Sequence, residues 1–553
     1  MSIENDRVTA DQYGRVALWT SPYGGTLVDG TGNPRCQTDV GIDAGKIVKV
    51  TSAVSLDAAR TIDARGLVVA PGFIDIHTHS DFALLLNNRA ESAVRQGVTT
   101  SLLGGCGRTC APVGEKNKEL LLKDIIGYDS RTPVTWRTLG EYLEQFEKSG
   151  LAQNVAGLVG HNAVRIAVMG YDSRKPSGTE LNEMKQLVAE CMKAGAFGLS
   201  TGLAYPPGAF ADTDEIVELS KIAASYGGIY WSHLRGSDGD FLAGVEEAIH
   251  VGREARLPVH MAHLCGFFGN SETQLALRMI DDARSQGLDV TCDLYPYLAG
   301  ANPLAAFLPQ SVFTRGWRDL AEEIRDPARR KKLAEDVRRS EVGSFWLTRK
   351  EILQGIVLYD CHENQTFKGK SLAEIAELKQ MDPVESVLEV LADEGSEMYN
   401  AGVIAQWMDE KDNFAVFKAP FHIVGSDGIA LAPYGELASF RFHPRSYGTF
   451  PRVLGRYVRR RGILTLEEAV RKMTSAPAQR LNLKNRGIIR EGAWADLVIF
   501  DYDQILDKST YEEPNLYPEG IKYVIINGEI VIENGQHTGR LPGKVLRHAS
   551  REG

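Results

Sequence analysis

Gly72-Phe-Ile-Asp-Ile-His-Thr-His-Ser-Asp81 is the stretch on which the fold turns. It leaves a Pro71-Gly72 turn, runs through a short apolar segment and ends on two histidines spaced by two. Side chains two apart on an extended strand face the same side, so His77 and His79 can both point into one enclosed centre. An isolated His-x-His is as often structural as functional. Its place at the end of an apolar strand makes it a candidate for metal or catalytic chemistry.

Working outward from this stretch, seven further apolar runs follow before Asp427. The eight are 73–77, 98–104, 155–160, 197–201, 229–233, 258–263, 288–293 and 421–427. Segments of helical period separate them, and that alternation is the mark of a parallel β/α fold. Ser177-x-x-Glu180 and Ser271-x-x-Gln274 are expected to open two of the helices as capping boxes, in which a side chain satisfies the free N–H groups of the first turn. The predicted fold class is α/β: a TIM-like (β/α)8 barrel. His77, Cys106, His161, His233, His263, Asp293 and Asp427 all fall at or just past a strand's C-terminal end, the rim where barrel enzymes keep their active sites.

Outside this array, residues before Gly72 and after Gly487 read as short strands and hairpins, with turn signals at Asp29-Gly30, Ala44-Gly45, Glu491-Gly492 and Asn527-Gly528. They predict a β-sandwich built from both chain ends, 1–72 and 486–553, around a barrel spanning 73–485. Between the seventh and eighth strands, residues 297–405 are too many for a loop and predict an insert or lid.

Composition narrows the partners. The chain has 553 residues, 43% of them apolar and 24% charged, with a net charge of −10. Nucleic-acid binding depends on clustered Lys and Arg, so a polyanionic partner is excluded, and the runs Arg329–Lys332 and Arg459–Arg461 read as solvated helix faces. No apolar run approaches the ~20 residues that span a bilayer. Met1 to Arg15 lacks the apolar core of a secretory signal, and the seven irregularly spaced cysteines fit reduced thiols. A cytoplasmic protein acting on a small molecule is expected.

Cys106 sits in Leu103-Gly-Gly-Cys-Gly107, whose glycines leave room for a thiolate to reach a central ion. His233 and His263 end consecutive strands beside it. One Cys and two His suit zinc and leave a tetrahedral position open for water, as catalytic zinc sites do. Asp427, in Val424-Gly-Ser-Asp-Gly428, is placed to take a proton from zinc-bound water and return it to a leaving nitrogen.

These residues resemble the amidohydrolase superfamily, and within it the D-aminoacylase (N-acyl-D-amino-acid deacylase) family. The resemblance runs over nearly the whole chain, through Gly198-Leu-Ser-Thr-Gly-Leu-Ala-Tyr-Pro-Pro-Gly208, Asp293-Leu-Tyr-Pro-Tyr297 and His443-Pro-Arg-Ser-Tyr-Gly-Thr-Phe-Pro-Arg452. It implies a tight zinc on Cys106, His233 and His263, and a weaker second position on His77 and His79 with Cys106 and Asp427 shared. It further implies that Tyr295 and Arg445 hold a substrate carboxylate, which a guanidinium grips through two parallel hydrogen bonds, and that His161 supports the site or polarises a carbonyl. The activity implied is hydrolysis of an N-acyl-D-amino acid or related amide. Opening of a cyclic amide or imide is the alternative enzyme, although no lysine stands at a strand end to bridge two metals. A metal-free scaffold is the alternative outside catalysis, and such homologues typically lose ligands. One departure stands out: where the family usually has Lys two positions after the histidine matching His263, this chain has Cys265.

Overall fold

The structure is a computed structural model that describes residues 16–19, 26–51, 58–236, 240–266, 269, 271–313, 317–395, 398 and 401–549. The reading of Met1 to Arg15 lies outside the described residues.

All eight predicted strands are present. They are Phe73–Asp75, Val98–Leu103, Asn154–Gly157 with its continuation Val159–Gly160, Gly198–Gly202, Ile229–His233, Val259–Met261, Val290–Leu294 and His422–Val424. Each pairs in parallel with the next, in one sheet up to Asn154–Gly157 and in another from Val159 onward. Beyond the strand ends, Thr78 forms a parallel bridge to Gly428, with His79 N–H donating to Gly428 O and Asp427 N–H to His77 O, both at 2.8 Å. Asp75 reinforces the junction by accepting from Ser426 N–H at 2.9 Å and from Ser426 Oγ–H at 2.5 Å.

The two-residue period of a strand sorts its side chains between two cores. Ile229 and Trp231 join Ile76, Leu102, Leu158, Phe197 and Ile423 in an inner cluster. Tyr230, between them, belongs to the outer layer where strands meet helices.

The helices start largely as their sequences require. Ser177 and Glu180 form both bonds of a capping box at helix Gly178–Lys193. Ser271 does not: its φ of 68° puts it in the left-handed region, without a side-chain bond to helix Glu272–Ser285. A cap needs extended backbone at that residue for the hydroxyl to reach the first-turn N–H groups, so the sequence signature fails there.

Both chain ends contribute to a six-stranded sheet, which orders Thr26–Leu27, Val68–Pro71, Leu497–Phe500, Ile521–Ile526, Glu529–Glu533 and Gln536–His537. Leu497 and Ile499 pack into a cluster with Val40, Ile42 and Ile47 of a four-stranded sheet, whereas Val498 and Phe500 pack into the outer layer of the β/α array. Burial of both faces explains the uninterrupted Leu-Val-Ile-Phe run. The last described residues leave these sheets: Gly543 N–H donates to Leu151 O at 2.8 Å and Leu546 N–H to Val155 O at 2.7 Å, alongside the third strand.

Between the seventh and eighth strands, Ala299–Pro303, Ile356–Asp360 and Gly402–Gln406 form an antiparallel sheet. Helices cover it around a core of its own that includes Leu304, Phe307, Trp346 and Leu388.

Gly425 shows how tightly the eighth strand is seated. A Cβ there would lie 2.8 Å from His77 Cβ and 3.1 Å from Asp293 Cγ. Neither neighbour is the free end of a flexible chain. Gly425→Ala is therefore expected to destabilise the protein by about 1–3 kcal/mol, read as a lower midpoint of thermal unfolding.

Candidate metal centre

The strand ends bring the predicted donors together in two groups, each with its donor atoms within 4.8 Å of one another: His77, His79, Cys106 and Asp427, and Cys106, His233 and His263. Cys106 is common to both. Its Sγ lies 3.5 Å from His77 Nε2 and 4.0 Å from His263 Nε2, and His263 Nε2 lies 2.9 Å from His233 Nδ1. Tetrahedral zinc, with bonds of ~2.0–2.1 Å to nitrogen and ~2.3 Å to sulfur, holds its donors about 3.3–3.6 Å apart. The observed spacings scatter around that range. Asp427 Oδ1 stands 3.2 Å from His77 Nε2 and 3.0 Å from His79 Nε2.

Backbone strain marks the same residues. Cys106 has φ 54°, His263 φ 32° and Asp427 φ 49°. Non-glycine residues seldom occupy this region, and where they do the surroundings must hold them. At Cys106 the glycines make that possible: a Cβ on Gly107 would lie 2.7 Å from Gly202 N, and one on Gly202 2.3 Å from Cys106 O. Tyr205 Oη–H donates to Cys106 O at 2.6 Å, and its ring packs edge-on against His233 at 5.1 Å.

The electrostatics call for a cation. Burial would raise the Cys106 thiol, but the charges of His77 and His79 and hydrogen bonds from His233 and His263 bring it well below its usual value. Burial also opposes ionisation of Asp427, yet Arg445 and His77 hold that carboxyl well below the usual range. The histidines respond in kind: against the effect of burial, the Cys106 thiolate and Asp427 lift His79 to about 9. His233 is lowered by burial and by His263, which leaves a neutral ring with a lone pair. Two buried anions beside imidazoles attract either protons or a divalent ion, and the donor set is one zinc accepts.

Asp293 lies beneath both groups, fully buried. It meets His77 Nδ1 at 3.0 Å, His260 Nε2 at 2.9 Å and the His263 backbone N–H at 2.8 Å. The sequence marks Asp293 as a polar strand end and the start of a family motif but assigns it no role, and nothing in it marks His260, whose partners lie on a neighbouring strand.

The predicted substrate contacts fall on one side. The Arg445 guanidinium stacks on the Tyr295 ring at 4.6 Å and on Phe442 at 5.3 Å, and its Nη1 donates to Asp427 Oδ2 at 2.8 Å. Its buried Nε finds no hydrogen-bond partner among the described residues. His443, quoted above only as part of a motif, is a clamp: its Nε2–H donates to Ala299 O at 3.0 Å while Nδ1 accepts from Arg445 N–H at 3.0 Å. Cys265 is buried, its thiol donates to Gly266 O at 3.3 Å, and burial pushes it up to about 12, so it is neutral. Burial, against the pull of Arg445, and the charge of Asp427 raise the nearby Tyr295 phenol. His161 stands outside both donor groups. Its Nε2 meets Glu215 at 2.8 Å, and Arg165 pairs with the same carboxylate at 2.5 Å.

Comparison with known proteins identifies the family. An amidohydrolase family model matches residues 60–532. The chain is 34% identical to N-acyl-D-glutamate deacylase of Alcaligenes xylosoxydans xylosoxydans over 95% of each chain. It is also 34% identical to D-aminoacylase of the same organism, over 95% of this chain and 96% of the relative. Among solved structures, N-acyl-D-glutamate deacylase from Bordetella bronchiseptica, complexed with zinc and a phosphonate mimic of the tetrahedral intermediate, superposes with a TM-score of 0.79. That match has 31% identity and covers 97% of this chain and 100% of that one. The chain belongs to the amidohydrolase family, among its N-acyl-D-amino-acid deacylases.

Proposed function

We propose that the protein hydrolyses the amide bond of an N-acyl-D-amino acid or a related N-acyl compound, at a site on the rim of a closed TIM-like (β/α)8 barrel. The bridge from Thr78 to Gly428 supports closure. The sandwich of residues 1–72 and 486–553, the barrel of 73–485 and the insert of 297–405 are the accompanying division of the chain. The observation that carries the functional reading is Arg445: one nitrogen is committed to Asp427, while its buried Nε has no partner among the described residues. A carboxylate in the substrate would supply that partner through a charge-assisted bond.

Cys106, His233 and His263 would hold one zinc ion, and His77, His79, Cys106 and Asp427 a second. Zinc bound there supplies Lewis acidity, polarising a carbonyl and acidifying water. Asp427, kept ionised by Arg445, takes a proton from the water that attacks the amide carbon and passes it to the departing nitrogen. Tyr295 and Arg445 orient the substrate acid. His161 supports the site from a distance, tying the start of helix His161–Met169 to Glu215.

The substitution at Cys265 modifies the substrate. A neutral thiol cannot replace an ammonium, so an acid held by Arg445 and Tyr295 alone lacks one charge-assisted contact, worth ~1.5–3 kcal/mol. Simple N-acetyl-D-amino acids should then bind poorly, and the preferred substrate is larger or carries its acid differently. A cyclic amide has less to offer Arg445, and no described strand-end lysine is available to bridge two metals as in cyclic-amide hydrolases. The full complement of donors argues against a scaffold. A hydrolysis screen over paired N-acyl-D- and N-acyl-L-amino acids, with cyclic imides alongside, tests the reading; release of free D-amino acid is the expected result.

Three variants test the parts. Cys106→Ala should lose zinc from both positions in elemental analysis of the purified protein, and a full zinc complement would refute the assignment. Asp427→Asn should lower kcat by roughly 10²–10⁴-fold with zinc retained on Cys106, His233 and His263; near-normal kcat would move the base elsewhere. Cys265→Lys should lower KM for N-acetyl-D-methionine or N-acetyl-D-leucine by about tenfold or more, equivalent to ~1.4 kcal/mol. A good wild-type KM with no gain from lysine would place Cys265 outside the pocket.

A further inference from the structure

The carboxylate of Asp293 reaches one member of each donor group. Its oxygens lie 3.0 and 3.1 Å from His77 Nδ1, and Oδ1 also accepts from the His263 N–H at 2.8 Å. A third donor, His260 Nε2, meets Oδ2 at 2.9 Å, and His260 Nδ1 is anchored in turn by Thr291 Oγ1 at 2.7 Å. A carboxylate only accepts, so His77 carries a proton on Nδ1, and Nε2, which faces Cys106 and Asp427, is the nitrogen it can offer a metal. The His263 N–H bond acts on the backbone, which at φ 32° is held where few non-glycine residues go.

We propose that Asp293 is a positioning residue that couples the two metal positions: one carboxylate fixes the His77 ring for the first and the strained His263 backbone for the second. The proposal rests on the zinc reading of the two donor groups. Asparagine is nearly the same size but has one accepting oxygen and one N–H2 group. Three donors would compete for that oxygen. The amide N–H2 would face either His77 or His260, and a His77 turned to accept from it would place its proton on Nε2, where it blocks a metal.

The test is zinc titration of the metal-free protein against a chromogenic chelator, comparing wild type with Asp293→Asn. Loss of a carboxylate that orients a histidine ligand typically costs ~10–100-fold in metal affinity, and here the loss is expected at both positions. The absorption spectrum of the cobalt-substituted protein should change as well, which a residue that merely supports folding would not cause. Wild-type affinity in a folded Asp293→Asn protein, or weakening at one position alone, overturns the proposal. If Asp293→Asn does not fold, His260→Phe decides, since it keeps a ring but removes a donor that steadies the carboxylate. Weaker zinc at both positions supports the coupling, and unchanged zinc refutes it. Failure of the wild-type protein to take up zinc would instead refute the reading of the donor groups themselves.

Discussion

Negative charge that water cannot reach is the constraint around which this molecule is arranged. The Cys106 thiolate and the carboxylates of Asp293 and Asp427 are all buried, and an isolated buried anion costs far more than a fold can spare. Each is therefore surrounded by donors. Asp293 is met by two imidazoles and a backbone N–H, Asp427 by Arg445, His77 and His79, and Cys106 by histidines on two sides. Asp293 is already satisfied by protein groups. Cys106 and Asp427 share histidines whose nitrogens could also serve a metal, so their charge stays available to a cation.

Such a centre can be assembled only if the strands are seated closely and in register. The eighth strand passes so near His77 and Asp293 that only glycine fits at 425. Asp75 and Ser426 fasten it to the first strand with two hydrogen bonds. The left-handed residues at Cys106, His263 and Asp427 are the local cost of turning three side chains inward immediately after straight strands. Compact neighbours such as Gly202 and hydrogen bonds such as that from the His263 N–H to Asp293 hold those turns in place.

How much of this was legible in the sequence follows from the range of each interaction. The eight strands and the donors at their ends could be read because strand period and strand termini are local properties; His77, His79, Cys106, His233, His263 and Asp427 all converge as their positions imply. The capping box at Ser177 was legible for the same reason, but the similar signature at Ser271 was not a cap, because its backbone conformation is not written in those four residues. Asp293 and His260 gain their meaning from partners on adjacent strands, and His443 from Ala299 at the root of the insert. Pairings at such separations leave no spacing signal. His161 shows the converse: a strand-end histidine whose ring meets Glu215 instead of the donor groups.

The site also divides by the part of the chain that supplies it. The candidate metal donors come from strand ends, which parallel neighbours and two cores hold fixed. Arg445 comes from the helix Arg445–Arg452, and its backbone is tied through His443 to Ala299, the first residue of the insert's sheet. Phe442, on which Arg445 stacks, packs against Tyr359 from another strand of that sheet at 5.9 Å. Tyr359 in turn closes over Gly402, where a Cβ would fall 2.6 Å from its hydroxyl. The group that would grip a substrate acid thus takes its orientation from the insert, while the groups that would carry out hydrolysis take theirs from the parallel strands. The Arg445 to Asp427 ion pair and the stacking of Arg445 on Tyr295, just past the seventh strand, join the two sets of contacts, so a change in the insert bears first on what is bound.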